Sequence, residues 1–262
     1  IDKKEFLLQY IIKAYIEHLE PIGSTQLKSM YDITYSPATI RGYFKKLGEE
    51  GYLAQEHISS GRTQTIEALK QYWESKLNFK LKGINLRALE YFASNIGLSV
   101  FIKKEKSDIL KNILNVENRY MILEFSSFAI SVKYSDALYR FLNDMIGLDL
   151  KDITKVSKDV GAYEVYESIN QTLQNSDFQI FNYKEFLNLA LNYDFDEYTI
   201  NSFLKGQILD ELKEGLYFDK FLPSNYIGIC NYCKINNEDV KMLVIGELPK
   251  DYEYFYEKIT TF

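Results

Sequence analysis

The chain has 262 residues, 46% of them apolar and 15% aromatic, which is enough for ordinary buried cores and excludes a disordered polar chain. A formal charge of -6, from 37 acidic and 31 basic residues, excludes a general nucleic-acid coat protein, and two cysteines are too few for a disulfide framework, which fits a reducing cytosol. There is no run of about twenty apolar residues to span a membrane, and Ile1-Asp2-Lys3-Lys4-Glu5 lacks the apolar core of a signal peptide, so the expected place is the cytoplasm, with no membrane partner.

The negative charge is unevenly spread. Residues 1–79 hold ten basic and ten acidic side chains, whereas residues 80–262 hold 21 and 27. The first part is therefore neutral, which permits contact with DNA provided its cations gather on one face.

Residues 3–19 read as one helix, with Phe6, Leu7, Tyr10, Ile11, Ala14 and Tyr15 at three- and four-residue spacing. Glu20-Pro21-Ile22-Gly23 ends it. Ser24 is placed to cap a short second helix running to about Tyr31, with Leu27 and Met30 inward and Lys28 towards solvent or a phosphate. A third helix begins with Ser36 as N-cap and Pro37 at the first helical position, where a missing N–H is harmless. Ile40, Phe44 and Leu47 share its inner face, and Ala38, Arg41, Gly42, Lys45 and Lys46 lie on the other side. Gly42 costs about 1 kcal/mol of helix propensity, and two alternative reasons stand for it: close approach to DNA, or simply a locally loose helix.

Gly51 is placed to end that helix in the left-handed conformation. Tyr52 to Gln55 and Thr63 to Ile66 read as two strands around a turn from Glu56 to Arg62. Helix, helix, capped helix and hairpin in that order have the form of a winged helix-turn-helix. In it Ala38, Thr39, Arg41 and Gly42 are expected to read the major groove, while Ser36, Lys45, Lys46 and Arg62 hold phosphates. Ser24, Lys28 and His57 complete the candidate contact set. His57 has three readings: a phosphate contact, a pH sensor, and a plain polar loop residue. A capped helix with a few cations outside is by itself an ordinary solvated helix; the ordered succession is what points to DNA.

Beyond Trp73 the pattern is mixed α/β. Residues 84–96 read as a helix with a stripe of Leu86, Leu89, Phe92, Ala93 and Ile96, followed by a strand from Leu98 to Ile102. Tyr120 to Phe125 and Phe128 to Tyr134 read as a hairpin around Ser126-Ser127. Helices are expected over 137–146, 163–173 and 198–212. Tyr226 to Ile235 and Val240 to Ile245 read as antiparallel strands joined by a turn at Asn236-Asn237-Glu238-Asp239, with a last helix after Pro249.

Rival chemistry is thin. Cys230 and Cys233 form a C-x-x-C, which elsewhere marks a redox pair or half a zinc site, but the two histidines, His18 and His57, lie far away in sequence and strand positions three apart face opposite sides. The pair therefore reads as ordinary cysteines, with no metal and no cofactor expected. The Tyr and Phe abundance could serve base stacking, but its spacing reads as core. With no Gly-rich phosphate loop, no His-Glu metal motif and two histidines, an enzyme is not expected.

Four segments, Glu20-Pro21-Ile22-Gly23-Ser24, Ser36-Pro37-Ala38-Thr39-Ile40-Arg41, Leu47 to Leu53 and His57 to Thr65, resemble the HrcA family of bacterial heat-shock repressors, whose pattern reads approximately EPVGS, SSATIRN, LEEEGYL and HTSAGRIPT. Val244-Ile245-Gly246 and Asp251-Tyr252 resemble its VIGPTRMDY near the C-terminus. The likeness is strong over roughly the first quarter of the chain and faint beyond. Gly42 replaces the usual Asn, and Thr63-Gln64 and Glu247-Leu248-Pro249-Lys250 also depart from the pattern, as in a divergent branch.

The resemblance implies an α+β protein, a winged helix-turn-helix over residues 1–75 followed by a GAF-like α/β domain (76–104 and 171–262) with an inserted dimerisation subdomain (105–170). It further implies a homodimeric repressor of groE- and dnaK-type chaperone operons, bound to the double-stranded inverted repeat called CIRCE and favoured in its active form by the GroEL chaperonin. Independently of family, one winged helix reads few base pairs, so a specific repressor needs two copies on a two-fold site. Two other functions remain open: a winged-helix regulator with a small effector bound in the GAF-like domain, and a winged domain serving as a protein–protein adaptor.

Overall fold

A computed structural model describes residues 2–78, 80, 83–105, 107–174 and 178–261. Contacts divide the chain into two compact units, one of Ile1–Ile102, Ile180–Asn237 and Lys241–Phe262, the other of Lys103–Gln179 with Glu238–Val240.

The first unit opens with three helices, α1 (Lys3–His18), α2 (Ser24–Tyr31) and α3 (Pro37–Glu49). Leu7, Ile11 and Ala14 of α1 meet Ile22, Leu27, Ile33, Ile40, Phe44 and Leu47 in one core, each large side chain contributing about 1.5–3 kcal/mol by leaving water. Gly23, one residue earlier than expected, occupies the N-cap of α2, and its N–H donates to Gln26 Oε1 at 3.4 Å. Ser24 is thereby the first helical residue, and it is buried.

The hairpin strands, β1 (Leu53–Ala54) and β2 (Thr63–Gln64), pair antiparallel with Leu53 opposite Gln64. They are shorter than 52–55 and 63–66 because Thr65 Oγ1 accepts from Ala68 N at 3.3 Å, capping α4 (Ile66–Lys76) and drawing Ile66 into a helix. Trp73 of α4 is buried, and its Nε1 donates to the carbonyl of Leu248 at 2.7 Å. Its indole also meets the Tyr252 ring edge-on at 5.1 Å between centroids. The chain continues through β3 (Gly83–Ile84), α5 (Leu86–Ile96), with its expected stripe, and β4 (Ser99–Lys104).

The second unit is a three-stranded antiparallel sheet, β5 (Leu110–Val116), β6 (Tyr120–Phe125) and β7 (Ala129–Lys133), with helices α6 (Asp136–Asn143), α7 (Leu150–Asp159) and α8 (Tyr163–Gln174). Leu110, Ile113, Met121, Leu123, Ile130 and Val132 pack with Leu142, Ile153, Val165 and Ile169 of the helices. The turn after β6 is held by Asp108: Oδ1 accepts from Ser126 N at 2.6 Å and Oδ2 from Ser127 N at 3.0 Å, with the Ser127 hydroxyl added. Burial alone would raise this carboxyl, but the donors of Ser127 and Ser126 outweigh it and hold the group down to about 2. The sequence did not announce β5 or α7. A register shift between Leu110 and Asn112 spoils the alternation of β5. In α7 the third core position is Ser157, fully buried with an unpartnered hydroxyl, where helical spacing calls for an apolar residue.

The remaining elements are β8 (Phe178–Phe181), α9 (Tyr183–Asn192), α10 (Glu197–Leu204), α11 (Gln207–Glu211), β9 (Gly215–Tyr217), β10 (Tyr226–Ile235), β11 (Glu238–Glu247), α12 (Tyr252–Ile259) and β12 (Thr260–Thr261). The main sheet runs β12-β3-β10-β11-β4-β8, with β9 beside β10. The single helix expected over 198–212 is two, because Gly206 takes a left-handed conformation at φ 73° and starts α11. The turn expected over Asn236–Asp239 is tighter: Asn236 and Asn237, at φ 51° and 65°, make it alone, and Glu238 and Asp239 belong to β11. Phe101 of β4, Phe186 of α9 and Phe203 of α10 fill the space between sheet and helices, with ring centroids 4.6–5.5 Å apart.

Trp73→Phe keeps an aromatic ring but leaves the buried Leu248 carbonyl without its donor. Stability is expected to fall by about 1–3 kcal/mol, read as a lower denaturant midpoint at unchanged slope.

Candidate nucleic-acid interface

The outward row of α3 follows from its inward one. Ser36 Oγ accepts from Thr39 N at 3.1 Å and fixes the first turn, and Pro37 occupies N1. With Ile40, Phe44 and Leu47 buried, Ala38, Thr39, Arg41, Gly42, Lys45 and Lys46 are all exposed on the remaining face. The Ser36 and Thr39 hydroxyls lie 2.9 Å apart and hydrogen-bond each other. Lys45 lies 3.9 Å from Glu49, an exposed pair worth little, and Lys46 Nζ sits 5.6 Å from the Tyr43 ring centre. Lys4 pairs with Glu50 at 2.7 Å, tying the start of α1 to the end of α3.

Gly51 follows the helix at φ 82° and turns the chain into β1. The tip of the hairpin is built by side chains: Gln55 Nε2 donates to the carbonyls of Ile58 (3.0 Å) and Ser60 (2.7 Å), and Ser60 Oγ accepts from His57 N at 3.0 Å. His57 is exposed there. Arg62 is half-buried, and its backbone bridges Ile22 in both directions, N to O at 2.8 Å and O to N at 2.9 Å. The hairpin is thus anchored to the segment between α1 and α2. In the sequence Gly61 is the residue that marks this anchor, because its missing side chain lets the hairpin lie against Pro21 and Ile22.

Two members of the expected contact set sit apart from the exposed row. Ser24 is buried at the start of α2. Lys28 is half-buried, and its ammonium donates to the carbonyls of Ile33 (3.1 Å) and Tyr35 (2.9 Å).

Cys230 and Cys233 are free and buried in β10. Burial pushes their thiols up to about 11 and about 12, so both are protonated and poor ligands or nucleophiles at neutral pH. Among the described residues no group of three or more His, Cys, Asp or Glu could hold a metal ion, and no helix is long and apolar enough to cross a membrane.

Comparisons with known proteins define first the class. Two proteins of Helicobacter pylori, each named a heat-inducible transcription repressor, are 31% (strain J99) and 30% (strain 26695) identical over 264 aligned residues, covering 99% of this chain and 95% of each relative. A crystal structure described only as that of a hypothetical protein shares the fold at a TM-score of 0.50 and 18% identity, covering 98% of this chain and 96% of its own. A family model described as the HrcA C-terminal domain matches residues 73–262. The chain belongs to the HrcA family of heat-inducible transcription repressors.

A Cβ on Gly61 would lie 2.7 Å from both Ile22 N and Pro21 C, backbone atoms that cannot step aside. Gly61→Ala is expected to cost about 1–3 kcal/mol and to speed amide exchange at Ile22 and Arg62, the two N–H groups of the bridge.

Proposed function

We propose that residues 2–76 form a winged helix-turn-helix and that the protein represses groE- and dnaK-type chaperone operons in the cytoplasm. It binds a CIRCE-like inverted repeat as a homodimer, and the GroEL chaperonin favours the DNA-competent form. The observation that carries this is the uninterrupted exposed row on α3. Small side chains at Ala38 and Gly42 let the helix backbone approach base edges, and Arg41 lies between them to reach a guanine. Lys45 and Lys46 towards the end of α3, Ser36 at its start, and Arg62 and His57 on the hairpin suit phosphates. Bound across the promoter, the dimer excludes transcription.

In this proposal the sheet of the first unit is GAF-like and the second unit, inserted between β4 and β8, joins two copies. Two-fold symmetry sets the reading helices about 34 Å apart, one turn of the duplex. The Phe101–Phe186–Phe203 cluster, which occupies the space between the sheet and α9 and α10, favours this reading over one in which a small effector is held there. Heat acts by destabilising the dimer or its DNA-competent form.

Titration into duplexes bearing the inverted repeat, with scrambled controls at several salt concentrations, tests the proposal. Arg41→Ala is expected to lower operator affinity by about 1–3 kcal/mol and hardly change binding to scrambled duplex. Equal losses on both would make Arg41 a phosphate contact. Lys46→Ala is expected to weaken both alike and to reduce the salt slope by about one; an unchanged slope removes it from the interface.

A further inference from the structure

Lys28 stands in the last turn of α2, where the chain must reverse into α3. Its backbone carbonyl accepts from the N–H of Asp32, which takes the left-handed conformation at φ 51°, and from that of Ile33 at 3.3 Å. Its ammonium then crosses the same turn and donates to the carbonyls of Ile33 at 3.1 Å and Tyr35 at 2.9 Å. Tyr35 immediately precedes Ser36, the N-cap of α3. Ile33 is buried in the helical core and Tyr35 packs against the same core, so both ends of the clamped segment are also held by packing.

One cation therefore satisfies two carbonyls of the turn, and it does so at the C-terminal end of α2, where the helix dipole favours positive charge. A lysine reaching for a phosphate would extend into solvent. This one is half-buried and folded back along its own turn.

We infer that Lys28 is a positioning residue: it sets the angle at which α3 meets the duplex by clamping residues 32–35, and it does not contact a phosphate. The inference rests on the DNA-binding role proposed above. Loss of the clamp weakens the base-reading geometry, which needs α3 held to within a fraction of an ångström, more than it weakens nonspecific attraction to the backbone. A phosphate contact behaves oppositely: its loss weakens all duplexes alike and removes one released counterion from the salt slope.

The full chain, its Lys28→Met variant (length and apolar stem kept, donors and charge removed) and its Lys28→Arg variant are titrated with operator and scrambled duplexes over a range of salt. Circular dichroism at the assay temperature gives the folded fraction, to which affinities are normalised. Lys28→Met is expected to lose about tenfold on the operator and much less on scrambled duplex, with an unchanged salt slope, while Lys28→Arg stays within about threefold of the original. Amide exchange at Ile33 is expected to quicken in Lys28→Met alone. Equal losses on both duplexes with a slope smaller by about one overturn the inference, as does an operator affinity that does not change. Failure of the unsubstituted chain to bind either duplex defeats the DNA-binding proposal instead, and the exchange at Ile33 then still reports whether the clamp exists.

Discussion

Burial of Ile40, Phe44 and Leu47 against Leu7, Ile11 and Ala14 is the constraint on which the candidate interface depends. Consecutive helical residues are turned by about 100°, so fixing three of them in a core fixes the azimuth of every other residue on α3. The exposed row from Ala38 to Lys46 is thus a by-product of packing. No interaction among those side chains is needed to hold them there, and they are free to be chosen for a partner.

The hairpin obeys a different economy. Two strands of two residues each are too short to hold themselves, and an isolated hairpin of this size is unstable in water. Its shape comes from outside the ladder: the Ile22–Arg62 bridge at its base, the close approach of Gly61 to Pro21 and Ile22, and the Gln55 amide and Ser60 hydroxyl at its tip. Helices and hairpin are accordingly joined by hydrogen bonds, and Lys28 ties the α2–α3 side in the same way.

What could be read from the sequence is what is decided locally. The cap at Ser36, the apolar spacing of α1, α3 and α5, the strands of the 120–134 hairpin and the punctuation at Gly51 all depend on residues within a turn or two of one another. Less legible is what depends on the path of the backbone or on tertiary neighbours, even where the partners are near in sequence. Ser24 invites a cap assignment, yet Gly23 takes it and turns Ser24 into the core. Lys28 looks like any solvated lysine until the path of residues 32–35 is known. Ser157 hides α7 because its burial is imposed by neighbours, and the register shift hides β5. Cys230 and Cys233 read as ordinary cysteines because a strand parts positions three apart, and what the sequence does not show is the burial that raises both thiols.

The indole of Trp73 finds its carbonyl 175 residues further along, and Lys70 pairs with Asp219 across a comparable gap. A nascent chain emerging from the ribosome therefore holds α1, α2 and α3 long before it holds the Leu248 carbonyl on which α4 closes. Contacts of such separation form late, since loop closure must precede them. A chain that stops short of Leu248 lacks the acceptor for the Trp73 indole, so the amino-terminal helices and the last latch of α4 are separated in the order of synthesis.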